Sequence, residues 1–120
     1  MKTLQQIIDY MEATTEESWG VDVVRNSKTG QNCFFGHLFN MESDEKEANR
    51  LWDWFENIAT TYMVYPVNDG QNSLYQQPTP KQRVIAYLKD LRDGKAKNTY
   101  QIMDEYHKSE RLKESHISNA

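Results

Sequence analysis

Cysteine, proline and glycine are scarce in this chain of 120 residues: one, three and five respectively. A lone cysteine excludes an internal disulfide, and residues 1–20 lack the continuous apolar run of a signal peptide, so a reducing cytoplasm is the expected compartment. No stretch approaches the ~20 apolar residues that a membrane helix needs, so no membrane partner is expected. The sequence has no C-x-x-C, no H-x-x-x-H and no glycine-rich phosphate loop. No metal and no cofactor are therefore expected, since zinc alone takes three or four ligands at set spacing. There is also no internal repeat and no low-complexity linker, and a chain of this size can bury one core. The expectation is a single globular domain over residues 1–106, then a polar, frayed tail at 107–120 in which Leu112 and Ile117 are the only large apolar side chains.

Charge is present but uneven. Residues 1–40 have net charge -2, residues 41–70 net -5 and residues 71–120 net +3, within a total of -4. The acidic middle argues against wrapping duplex nucleic acid, because affinity for a phosphate backbone grows with the number of cations that displace counterions. A small anion held by the basic C-terminal third remains compatible, as does an acidic face that meets a basic protein.

Hydrophobic spacing points to a mainly α domain of four to five helices. Leu4, Ile7, Ile8 and Met11 follow the i, i+3, i+4, i+7 pattern behind a T-x-x-Q capping box at Thr3 and Gln6. Asn32 is a candidate N-cap for a short helix over Cys33–Phe39. Asp44 and Glu47 open a helix whose buried stripe is Ala48, Leu51, Trp52, Phe55 and Ala59. In TPKQRVIAYLKDLRDG, Thr79 caps, Pro80 takes the first helical position, Gln82 completes the box and Gly94 stops the run. Thr99 is a candidate cap for a further segment with Ile102, Met103 and Tyr106. Two stretches read differently. VDVV at 21–24 is β-branched, and TYMVYPV at 61–67 is aromatic and β-branched around Pro66, so a small two-stranded element from 21–25 and 62–67 fits both.

Two regions contain side chains with chemistry. Cys33 lies near a helix N-terminus, where unpaired N–H groups favour a thiolate, and His37 follows one turn later. A thiol-dependent hydrolase using Cys33 and His37 is one reading. The other is a small cysteine packed among Phe34 and Phe35, with His37 half-buried against a backbone carbonyl. The second region is YPVNDGQN at 65–72, an amide-rich loop between strong helices, with Lys81 and Arg83 just beyond at a helix N-terminus. Tyr65, Asn68, Asp69, Asn72, Lys81 and Arg83 are the candidate ligand-binding residues. The alternative is a connecting loop whose Asn and Asp side chains bond their own backbone.

The segments C-F-F-G-H-L at 33–38, V-N-D at 67–69 and R-V-I-A-Y-L at 83–88 resemble a family of small uncharacterised bacterial and phage proteins. Those proteins have a C-x-x-G-A-L helix, an aromatic N-D turn and a valine-containing amphipathic helix. His37 stands here where the family favours alanine, and Val67 where it favours tryptophan. The resemblance implies a compact, mainly helical domain. Taken together, the expected function is a non-catalytic binding protein of bacterial or phage accessory type. It would capture a small anionic ligand, such as a nucleotide-derived signal, or a partner protein. The thiol hydrolase and an acidic inhibitor or immunity protein are the alternatives.

Overall fold

A computed structural model describes residues 2–59 and 61–96. Five helices form within them: α1 (Leu4–Ala13), α2 (Phe34–Asn40), α3 (Glu45–Glu56), α4 (Thr61–Asp69) and α5 (Pro80–Arg92). A single 3-10 turn, Glu16–Ser18, follows α1. Helix α5 packs between α1 and α4, while α2 joins α3 to α4. The mainly α, single-domain architecture read from the sequence is therefore the one that forms. The expected frayed tail at 107–120, and the segment capped by Thr99, lie outside the described residues.

Local signals explain where three helices begin. At α1 the Thr3 hydroxyl accepts from Gln6 N–H, and the Gln6 side chain accepts in return from Thr3 N–H at 2.8 Å. At α5 the Thr79 hydroxyl accepts from Gln82 N–H, with Pro80 at the first position. Asp44 caps α3 through Lys46 N–H at 3.0 Å, while Glu47 pairs with Arg50 on the exposed face instead of closing a box. Helix α2 starts one residue later than its sequence suggests, with Cys33 as N-cap. The reason is that Asn32 is already engaged: its N–H donates to Ser18 O and its carbonyl accepts from Gly20 N–H.

The two-stranded element does not form, and no strand occurs among the described residues. Residues 62–67 are helical, within α4, because Val64 and Val67 lie one turn apart and bury completely in the core. That burial outweighs a β propensity which itself reflects packing more than backbone preference. Pro66 sits inside the helix. Residues 21–25 bend instead of extending, and the region holds only isolated bridges, Trp19 with Asn32 and Arg25 with Asn32.

The core is aromatic at its α2–α3 end. Phe34 packs on Phe55 with ring centroids 4.9 Å apart, and Phe35 stacks on Trp52 at 4.7 Å. Both phenylalanines are fully buried, each removal costing about 3–5 kcal/mol by the usual scale of cavity-forming changes. Gly36 lets this helix approach the 24–32 segment. A Cβ there would lie 2.4 Å from Val24 O and 2.8 Å from the Asn32 side chain. At the other end Ile7, Ile8 and Met11 of α1 meet Val84 and Leu88 of α5 in one continuous core.

Candidate functional site

The thiol of Cys33 is buried, and burial raises its pKa above the ordinary value, only partly offset by the Gly36 and Phe35 N–H groups at the start of α2. His37 does not serve it as a base. Its Nε2 meets Ser18 O at 3.1 Å and Ser18 Oγ at 3.4 Å, and its ring lies 4.4 Å from that of Trp19. Burial also lowers the His37 pKa, against the raising effect of the Ser18 carbonyl bond. This geometry suits packing: the imidazole closes the 3-10 turn onto α2, and the thiol fills space beneath the helix start.

The residues of the 65–83 region turn largely inward. Asn68 is fully buried and ties three segments together. Its Oδ1 accepts from Phe34 N–H at 3.0 Å, and its Nδ2 donates to Gly20 O at 2.9 Å and to Asp69 Oδ1 at 3.0 Å. Asp69 also accepts from Asp22 N–H at 3.3 Å, across a turn where Asp22 has a positive φ of 71°. Arg83 is only 9% exposed and donates to Val67 O at 3.1 Å, Asn68 O at 2.8 Å and Gln77 O at 2.9 Å. Its cation thus sits at the negative end of α4, where unpaired carbonyls collect. Lys81 does the same for α1, donating to Glu12 O at 2.9 Å and Thr14 O at 2.6 Å. Tyr65 packs its ring 5.3 Å from that of Phe35, facing α2. Asn72 accepts from Leu74 N–H at 2.9 Å in a side-chain turn.

These six residues therefore do not converge on one surface. The open concavity lies on the other side of the same loop, where α4, residues 71–75 and the C-terminal half of α5 enclose about 710 Å³. Of the sequence-derived candidates, Asn72 alone lines it. Met63 and Pro66 of α4 give it an apolar wall, and Leu74, 75% exposed, stands at its rim. Gln71, Ser73 and Tyr75 of the loop, Tyr87 and Asp90 of α5, and Lys95 and Ala96 beyond it complete the lining.

The chain matches no family model, no curated protein and no solved structure.

Within the cleft wall Tyr75 donates its hydroxyl to Asp90 Oδ2 at 2.8 Å, and its ring meets that of Tyr87 edge-on at 5.3 Å. Tyr87 is 1% exposed, and its hydroxyl finds no partner among the described residues. Burial holds its pKa up at about 12, and burial with the Asp90 bond raises that of Tyr75, so both are protonated donors at neutral pH. Tyr87 and Asp90 are three residues apart on α5 and so share a face, a relation the sequence contains. The aliphatic stripe of Val84, Ile85, Leu88 and Leu91 on the same helix is the stronger pattern in the sequence and masks it. Lys95 and Ala96 had no signal, because only the tight turn after α5 brings them back. There both N–H groups donate to Asp90 O, at 2.7 and 3.1 Å. Among the described residues no group of three His, Cys, Asp or Glu side chains stands close enough to hold a metal.

Proposed function

We propose that this chain is a non-catalytic binding protein, of the small accessory kind found in bacteria and phages, which captures a small molecule in the cleft between α4, residues 71–75 and α5. The observation that supports this reading is the cleft itself. Its volume of about 710 Å³ falls within the range of small-molecule sites, and its apolar walls hold a few polar groups able to fix orientation. A catalytic reading has less support, since the Cys33 thiol is buried and His37 is bonded to Ser18. An anionic group on the ligand would meet Lys95, because Lys81 and Arg83 are occupied by carbonyls of the chain itself. In described residues no helix is long and apolar enough to cross a membrane.

The test is a fragment screen by NMR on the full, isotope-labelled chain. Hits should move the amide signals of Gln71, Ser73, Tyr75 and Ala96 together. Ser73→Trp, a bulky substitution at an exposed position of the cleft lining, should abolish those hits. A screen in which nothing moves these signals, or hits that persist unchanged in Ser73→Trp, refutes the reading.

A further inference from the structure

Two side chains of opposite charge, Asp90 and Lys95, share the lining of the cleft without pairing. Asp90 is half-buried in the last turn of α5, where its Oδ2 accepts from the Tyr75 hydroxyl at 2.8 Å and its Oδ1 takes no hydrogen bond among the described residues. This carboxylate can still accept. Its place at the negative end of a helix adds to its attraction for a cation, and the basic neighbours on α5 are engaged elsewhere: Lys89 with Glu12 and Arg92 with Asp93. Lys95 is exposed, and its backbone N–H returns to Asp90 O at 2.7 Å, which holds the two residues close together. The rest of the lining is mixed. Residues 71–73 bring amide and hydroxyl groups, whereas Met63, Pro66 and the 75% exposed Leu74 bring apolar surface.

We propose that the cleft captures a small zwitterion with an apolar side chain, a free amino acid or a short peptide, whose ammonium meets the Asp90 carboxylate and whose carboxylate meets Lys95. This rests on the cleft being the binding site. A simple anion would gain Lys95 at the cost of approaching Asp90, and a simple cation would do the reverse, so a molecule with both charges is the one that complements the pair. Hydrogen bonds between charged groups are also the stronger kind. The amide and hydroxyl groups of residues 71–73 can serve a second carboxylate oxygen or a peptide group, and an apolar side chain laid on Leu74 removes its exposed surface from water. At about 710 Å³ the cleft has room for either source of this chemistry.

The experiment is an NMR titration of the full, isotope-labelled chain with leucine, trileucine, the amide and N-acetyl derivatives of each, and glycine, repeated on Lys95→Met and Asp90→Asn. Leucine or trileucine should move the signals of Gln71, Ser73 and Ala96, and the tighter of the two identifies the source. The amide lacks the carboxylate and the N-acetyl derivative lacks the ammonium, so each should bind about tenfold more weakly than its parent, the scale of one hydrogen bond to a charged group. Glycine has both charges but no side chain and should also bind more weakly. Lys95→Met should weaken the parent and leave the amide unchanged. Asp90→Asn keeps an acceptor for Tyr75 and should weaken the parent while leaving the N-acetyl derivative unchanged. If both derivatives bind as tightly as the parent, or if either variant binds the parent as wild type does, this inference is overturned while the cleft stands. If no zwitterion moves these signals although fragments do, the inference falls alone; if fragments also leave them unmoved, both fall.

Discussion

Arg83→Ala should unfold much of this domain's stability before it affects any ligand. The guanidinium makes three hydrogen bonds to carbonyls, and no carboxylate pairs with it among the described residues, so the charge is satisfied by backbone dipoles alone. Truncation leaves Asn68 O and Gln77 O without these donors, whereas Val67 O keeps a second bond from Gly70 N–H at 3.3 Å. Hydrogen bonds to charged groups contribute about 1.5–3 kcal/mol each, but three that share one side chain do not add fully. The expected loss is therefore about 2–5 kcal/mol, the cost of leaving two carbonyls short of a donor at about 1–3 kcal/mol each, with the packing of the lost stem included. Against a typical stability of about 5–15 kcal/mol this is a large fraction. Urea unfolding followed by circular dichroism reads it directly. Arg83→Lys should recover only part, because an ammonium on a flexible stem does not reproduce the planar fork that reaches three oxygens. Gly70 sharpens the case: its φ is +79°, and a Cβ there would stand 3.3 Å from the Arg83 guanidinium carbon. A loss below about 1 kcal/mol in Arg83→Ala would refute the keystone role and return the residue to the surface chemistry its sequence position suggests.

That contrast shows what local sequence can and cannot reveal here. Helices α1 and α5 are written within themselves: caps at Thr3 and Thr79, boxes closed three residues later, apolar spacing between. Helix α4 is not, because its β-branched and aromatic residues and its internal proline all favour other structures, and only burial against α5 and α2 makes it helical. The amide-rich stretch at 65–72 is legible as unusual, but not as what it is: its first five residues, Asn68 and Asp69 included, finish helix α4 instead of forming a loop. Asn68 bonds Phe34 N–H and Gly20 O, 34 and 48 residues away in sequence, and Lys81 reaches residues 67 and 69 positions earlier. Such pairings exist only once the fold does, so buried structural amides and cations look like an exposed binding set. The cleft was hidden for the same reason, being assembled from α4, a loop and the turn after α5.

Three other expectations follow from buried groups. Gly36→Ala should cost about 2–3 kcal/mol, since its Cβ meets the Val24 carbonyl and relief requires backbone movement; denaturant midpoints near wild type would show that α2 can shift freely. Cys33 should react with iodoacetamide slowly in the native chain and quickly in urea, because burial both shields the thiol and disfavours its thiolate; fast native labelling would contradict the packing role. The last concerns His37. Its folded pKa lies below the ordinary 6.5, so between that value and the folded one the unfolded chain binds more protons than the native chain. Its contribution is therefore fully present above pH 6.5 and is lost as pH falls through that window. Stability from urea melts should be lower at pH 5 than at pH 7.5 in wild type, and the difference should be smaller in His37→Gln, where the titrating group is gone. Equal pH dependence in the two proteins would mean that the imidazole stays solvated in the native state, against its contacts with Ser18 and Trp19.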